Sequence, residues 1–457
     1  MAFDDQPFQE EGEAGAPRPG YAQLLGALAG VDLADLRGRV NRHLAEREVT
    51  FGTRPFVVDP IPRLITPGEW EELAAGLAQR ADALNRFLLD AYGERRIVEA
   101  GVVSGEAIQE AEGFEPDLLG RLPAGSPPAA IVGFDVVREP SGRFLVLEDN
   151  VRTPSGFEYA LAARAALTAN LPPGCPVPRP VEPITGELLL AVIKAAAPDG
   201  RDDPSIVILT DGPSNVAFSE HSRAAARIGV PLVTLDQLAP SEDELYLELD
   251  GGQRRRVDVL YRRCDEDRVR DEHGELTEVA RAVLRPWLTG NLGLVNAFGN
   301  GVADDKLIHG HVDDFIRFYL GQEPIVRSVP TYDFPRPSGE VETIQRLREH
   351  VVKPRHGHGG AGVVIGPQAT DRELDELAGE VNRRPQSYIS QPKISLSSHP
   401  TVIDDRIEPR HVDLRVFAFC TAQITLMPGG LSRVALEKDK LIVNSSQSGG
   451  GKDTWVL

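Results

Sequence analysis

The chain has 457 residues, 41% of them hydrophobic and 26% charged, enough to bury more than one core and typical of ordinary globular proteins. A formal net charge of −20 and a pI near 5.0 argue against a general nucleic-acid surface and against docking on anionic membranes. No apolar run approaches the ~20 residues that cross a bilayer.

Residues 1–20 are acidic and rich in Gly and Pro, and are expected to be a disordered tail with no signal peptide. Helical spacing follows over 21–44 and, more clearly, over 67–92. There Pro67 opens the pattern, and Trp70, Leu73, Leu77, Leu84, Phe87 and Leu88 form one face. Residues 131–137 and 144–147 are predicted strands joined by the turn Pro140-Ser141-Gly142. An alanine-rich helix over 157–169 and a Pro-rich linker over 171–183 come next. From 182 to 296 helices and strands alternate, which predicts a mostly parallel sheet; strands at 245–249 and 257–261 flank the turn Asp250-Gly251-Gly252. Asp304 and Asp305 can cap a helix running through Phe318. Residues 350–441 are strand-rich with one helix over 371–382, and loops crowded with Gly and Ser close the chain.

Cys175, Cys264 and Cys420 are far apart with no C-x-x-C spacing, so neither a disulfide framework nor a zinc site is indicated, and a reducing cytosol is the expected compartment. Lysine is scarce, at 194, 306, 353, 393, 438, 440 and 452 only. Arginine suits forked contacts and lysine suits phosphate, so each lysine between apolar residues is informative.

Three segments carry chemistry. The first is VVKPRHGHGGAGVVIG, residues 351–366: a lysine ending an apolar run, a glycine-rich turn, and a second apolar run. Glycines 357, 359, 360 and 362 let backbone N–H groups close on a polyphosphate beside Lys353. GHGGAG satisfies G-x-G-x-x-G literally, but a dinucleotide fingerprint opens a helix, and Val363, Val364 and Ile365 predict a strand. The arrangement suits a lid over nucleotide phosphates; a ligand-free glycine hairpin is the bland alternative. The second segment is LVLEDNVRTPSG, residues 145–156. Glu148 and Asn150, two apart on a strand, share one face, and the hairpin turn could bring Asp135 alongside. Two carboxylates and an amide oxygen form a hard set suited to Mg²⁺, against the alternative of an exposed acidic hairpin.

The third segment is C-terminal: RHVDLRVFAF, PGGLSRVAL and VNSSQSGGGKDTWVL. Asp413 and Arg415 alternate on one face of a strand, with His411 on the same side, and an arginine there could hold a carboxylate or a phosphoryl group through two donors. Asn444, Ser445, Ser446, glycines 449–451 and Lys452 read as an anion loop. A P-loop is excluded, because Asp453 follows Lys452 and the required first glycine falls on Ser446.

Taken in order, these motifs resemble the ATP-grasp superfamily, specifically its circularly permuted proteins with glutathionylspermidine-synthase-like and glutamate–cysteine-ligase-like annotations. Gly133-Phe134-Asp135 and Glu148-Asp149-Asn150 precede the two lysines, the order a permuted chain would have. The resemblance runs from about residue 51 to 457. It implies a mixed α/β fold in five parts. A tail over 1–20 and a helical region over 21–130 precede metal-binding strands over 131–170. An α/β pre-ATP-grasp-like substrate domain over 184–300 and a nucleotide-binding core over 301–457 complete it.

Residue by residue, the resemblance implies that Lys306 and Lys353 approach the ATP phosphates from two sides, under the lid containing Gly357, Gly359 and Gly360. Gln391 stands where the family usually has a Glu reading adenine, and Asn444 and Ser445 join the nucleotide set. Asp135, Glu148 and Asn150 match the Mg²⁺ ligands, with Mn²⁺ as the alternative ion. Arg415, and also Arg152, Arg433 and Lys452, match groups holding phosphates or an acyl substrate, while Glu220, His221, Arg262 and Arg263 lie in the domain expected to face substrate. The implied activity joins a small-molecule or peptide carboxylate to an amine through an acylphosphate, with ADP formed. A nucleotide-binding scaffold or regulator that ligates nothing, and a phosphotransferase, are the competing readings. The absence of H-R-D and D-F-G segments weighs against the latter.

Overall fold

The computed structural model describes residues 8–10, 12–13, 16–123, 125–334, 346–357, 362–436 and 449–457. A nine-stranded, largely antiparallel sheet forms the centre. From one edge it runs Arg327–Ser328, Phe144–Asn150, Ile131–Arg138, Arg406–Cys420, Gly430–Val434, Gly450–Val456 and Arg63–Ile65, with Ser398–Ile403 and Ile424–Leu426 also pairing the long fifteen-residue strand. The early hairpin and the late strands are therefore neighbours in one sheet, although about 280 residues separate Asp135 from Arg415 along the chain.

The helix Pro67–Tyr92 begins at a reciprocal cap, with Thr66 accepting from the Glu69 backbone and Glu69 accepting from Thr66, and has Pro at its start. Its predicted apolar face is buried, and Phe87 stacks on Phe315 with ring centroids 4.3 Å apart. The predicted alternation yields a four-stranded parallel sheet, ordered Gly293–Val295, Val259–Arg263, Ile206–Thr210, Leu232–Val233. A smaller sheet, ordered Tyr332–Asp333, Tyr388–Pro392, His350–Pro354, Val364–Ile365, carries the second lysine. Val364–Ile365 pairs antiparallel with the lysine strand, as a strand–loop–strand requires.

Several expectations are corrected. The helical pattern over 21–44 is two helices, Tyr21–Leu28 and Leu33–Ala45, because Gly30 turns at φ 81° and Asp32 caps the second. The apolar run at 257–261 belongs to two strands: Gln253–Val257 closes the hairpin, and Val259–Arg263 enters the parallel sheet. Beyond Asp305 there is a helix Lys306–His309, then Val312–Phe315 and a wide turn through Leu320, not one continuous helix. The described residues of the supposed tail are anchored. Glu10 is fully buried between Arg63 and Arg138, and the Phe8 carbonyl accepts from Ser398 N at 2.8 Å. An acidic segment reads as solvated until the arginines that neutralise it, 53 and 128 residues away, are known.

Candidate active site

Strand register assembles the site. Asp135 lies directly opposite Glu148 in one ladder and opposite Arg415 in the next, while Asn150 faces Gly133. Period-two alternation then puts Glu148 and Asn150 on the same side and sends Asp149 to the other. Arg415 grips Asp135 with Nε at 2.6 Å and Nη2 at 2.8 Å, and Arg433 adds Nη2 at 2.9 Å. Burial pushes the Asp135 carboxyl up, but the two guanidinium groups overcome it and hold it well below the usual range. Arg433 also binds Asp413 through Nε at 3.0 Å; there burial wins and the Asp413 carboxyl is raised.

On the facing wall Lys353 ends a buried stretch of the His350–Pro354 strand, its Nζ 3.9 Å from Glu148 Oε1. Burial lowers its ammonium pKa, Glu148 opposes that, and the charge of Lys306 adds to it. Lys306 donates to the Gly357 carbonyl at 2.7 Å, where φ of Gly357 is 106°. A cleft of about 420 Å³ lies between these walls. It is lined by Asp135, Glu148, Asn150, Lys306, Lys353, Arg415, Arg433, Arg152, Gly357 and Gln391, with Val329, Val351, Ile365 and Leu396 among its apolar residues. Gln391 is buried and donates to Thr331 Oγ1 at 2.9 Å, which leaves its amide oxygen as the acceptor on that side chain. Arg152 reaches Asp304 at 2.8 Å and Asp267 at 3.1 Å.

Among the described residues no three His, Cys, Asp or Glu side chains are placed to hold a metal. An ion here would rest on two carboxylates and one amide, completed by oxygens from water or phosphate. The donor chemistry fits Mg²⁺ in that form. Glu148 is the most available donor, with 38% of its side chain exposed and Lys353 at 3.9 Å as its nearest ionic neighbour.

Other expected residues lie elsewhere. Lys452 sits on the Gly450–Val456 strand, fully buried, pairing with Asp59 and donating to the Pro400 carbonyl at 3.0 Å. Gly450 and Gly451, two of the glycines that suggested a loop, are β-ladder residues, where small size admits Phe56 against Gly451. Glu220 binds the backbone N–H groups of Gly156 and Glu158 at 2.8 and 3.1 Å, at the start of the Phe157–Asn170 helix, and Arg263 at 2.9 Å. It joins the parallel-sheet domain to the loop after the Phe144–Asn150 strand. His221 contacts Thr210 at 2.9 Å and is pushed down to about 2 by burial and Arg263. Arg262 is buried over Phe298, 4.4 Å from the ring centroid. All four are internal and none lines the cleft. Gly359, Gly360, Asn444 and Ser445 lie outside the described residues. His411 Nδ1 donates to the Leu396 carbonyl, 3.0 Å away, and does not line the cleft.

Sequence reasoning read Asp305 as a helix cap, which it is, but missed it and Arg355 as cleft residues. Arg355 Nε meets Asp305 at 2.8 Å while Asp305 caps the Lys306–His309 helix. The Arg two places after Lys353 was the available signal.

A cleft between two sheets, with the acidic strands and the Lys306 helix on one wall and Lys353 on the other, defines an ATP-grasp fold. The chain belongs to the circularly permuted ATP-grasp type 2 family, whose pattern matches residues 62–435. It is 39% identical to "Putative glutamate--cysteine ligase 2-3" of Frankia alni over 97% of its own length and 53% of that protein's. It is 38% identical to an uncharacterized protein of Synechocystis sp. over 97% and 95% of the two chains. An uncharacterized protein of Mycobacterium tuberculosis is 36% identical over 100% and 84%. The chain thus spans about half the length of the Frankia relatives. Among solved structures, a glutathione synthetase-like effector from Globodera pallida in apo form superposes with a TM-score of 0.58 at 10% identity, covering 93% of this chain and 97% of that one. At that identity the likeness concerns the fold.

Proposed function

We propose that the chain is an ATP- and Mg²⁺-dependent ligase that joins a carboxylate to an amine through an acylphosphate, releasing ADP and phosphate. The observation that carries the reading is the convergence of Asp135, Glu148 and Asn150 with Lys306 and Lys353 in one cleft. Attack of a carboxylate on a γ-phosphoryl group brings anions together, so fixed cations and a metal must neutralise the charge that builds. Lys306 and Lys353 bind the triphosphate from opposite walls. Apolar residues such as Val351 and Ile365 accept the base, and Gln391 offers its oxygen to an exocyclic amine. Glu148, Asn150 and Asp135, on one face, would hold Mg²⁺, which would supply neutralisation of the phosphate charge. Arg415, with its Nη1 turned to the Ser155 carbonyl at 3.2 Å, stands where the acid substrate or the transferred group would be oriented. His356 and Gly357 line the cleft beside Lys353, where an acylphosphate must be kept from water until the amine attacks.

The double guanidinium grip on Asp135 favours a second reading, a nucleotide-binding protein that ligates nothing, because a ligand this fully neutralised is less ready to accept a cation. The test is ATP turnover with panels of carboxylates and amines. Phosphate release that requires both an acid and an amine supports ligation. Tight ATP binding with no release under any pairing supports the second reading. A phosphorylated stable product would mean phosphotransfer instead.

A further inference from the structure

Between the two metal-side donors stands Asp149, whose side chain points away from them into the protein. Arg80, from the middle of the Pro67–Tyr92 helix, binds it with Nε at 2.6 Å and Nη2 at 2.7 Å. The Arg80 Nη1 atom donates to Ser328 Oγ at 2.9 Å, on the edge strand beside Phe144–Asn150. The third partner is His309, with Nδ1 2.7 Å from Asp149 Oδ2. His309 is buried, its Nδ1 also lies 3.1 Å from Arg80 Nη2, and its Nε2 has no hydrogen-bond partner among the described residues, so the polar ties of that ring all run through Nδ1 to the Asp149–Arg80 pair. His309 is also the last residue of the four-residue helix that begins with Lys306.

The other end of that helix is held as well. Asp305 caps it, accepting from Leu307 N at 2.9 Å and Ile308 N at 3.1 Å, and is itself held by Arg355 Nε. Arg355 lies two residues after Lys353. Buried ion pairs are costly to desolvate, and apolar residues of similar volume often replace them without loss of stability. What apolar packing cannot do is fix direction, whereas a forked guanidinium and an imidazole N–H do.

We infer that His309 is a positioning residue. Through Asp149 it sets the Lys306 helix against the strand that carries Glu148 and Asn150, so that the lysine and the metal-side oxygens act on one triphosphate. This rests on the nucleotide-binding part of the proposed function and adds a mechanical link through His309, which does not itself line the cleft.

The test is a double-mutant cycle read by calorimetry with Mg²⁺ and a non-hydrolysable ATP analogue, on wild type, K306A, H309L and the double variant. The expected result is roughly tenfold weaker binding for H309L, the scale seen when a supporting contact behind a ligand is removed. In the H309L background K306A should add little. H309N, which keeps a donor near the Nδ1 position, should restore most of the affinity. If H309L does not fold, H309F keeps the ring shape without its nitrogens and takes its place in the cycle. Binding by H309L within twofold of wild type, or losses that simply multiply, overturns the inference while leaving the nucleotide site standing. No binding by wild type overturns both.

Discussion

Arg415 holds Asp135 through two parallel hydrogen bonds, 2.6 and 2.8 Å long, from the strand directly beside it. The third acidic or amide position of the set is therefore pre-paired, whereas Glu148 is half-buried and its nearest ionic neighbour is a lysine 3.9 Å away. The two carboxylates should respond differently to neutralisation. Glu148→Gln should leave the melting temperature nearly unchanged and weaken Mg²⁺-dependent nucleotide binding about tenfold. Asp135→Asn should lower both, because it leaves Arg415 and Arg433 short of a buried counter-charge, at roughly 3–5 kcal/mol for a broken buried pair. Thermal unfolding with parallel Mg²⁺ titrations separates the effects, and equal melting temperatures for the two variants would contradict the assignment.

The N-terminal anchor predicts an acid-sensitive step. Burial pushes the Glu10 carboxyl up, but Arg63 and Arg138 pull it down to about 2, from an ordinary value of 4.5. A depressed carboxyl stabilises the fold fully above its unfolded pKa and loses that contribution as pH falls through its folded one. The window therefore runs from about pH 4.5 down to about 2. The shift corresponds to roughly 3 kcal/mol, offset in part because burial lowers the Arg138 pKa. Glu10→Gln should flatten stability against pH in that window and cost stability at pH 7. Denaturant titrations at pH 7, 4 and 3 measure it, and an unchanged slope would remove Glu10 from the acid response.

Close backbone approach makes a third prediction. A Cβ on Gly113 would stand 2.3 Å from the backbone carbonyl carbon of Gly301, and both glycines line the cleft. Backbone cannot step aside as a side-chain end does, so Gly113→Ala should destabilise by about 1–3 kcal/mol and displace the Glu112 segment. Gly68→Ala, with open space around it, should be neutral in the same melting assay.

What could be read in advance follows the range of the physics involved. Alternation along 144–150 placed Glu148 and Asn150 on one face, and turn chemistry at Pro140-Ser141-Gly142 closed the hairpin that brings Asp135 opposite Glu148. Both are local rules. Asp149 looked like one more acidic residue because its partners, Arg80 and His309, are 69 and 160 residues away. Glu220 and Arg263 were legible as charged residues of the domain expected to face substrate but not as a buried clamp, since burial is a property of the assembled sheets. The C-terminal glycines misled most. A glycine-rich run with a lysine can cradle an anion or can pass closely beneath an aromatic ring, and only the Phe56 contact at Gly451 distinguishes the two.

Lysines 353 and 452 make the last contrast. Each is buried, but Lys353 reaches an open cleft with a carboxylate 3.9 Å off, whereas Lys452 is sealed in the sheet against Asp59 and the Pro400 carbonyl. A cation facing ligand space should contribute to affinity, and one enclosed with its counter-ion should contribute to the fold. Lys353→Ala is expected to reduce ATP affinity by an order of magnitude or more with a small change in melting temperature. Lys452→Met leaves Asp59 charged and enclosed, so it should cost about 3–5 kcal/mol of stability. At a temperature where that variant is still folded, its ATP affinity should match wild type. Calorimetry and thermal melts on both variants decide it: a loss of affinity in folded Lys452→Met would return that lysine to the nucleotide site, and none in Lys353→Ala would take Lys353 out of it.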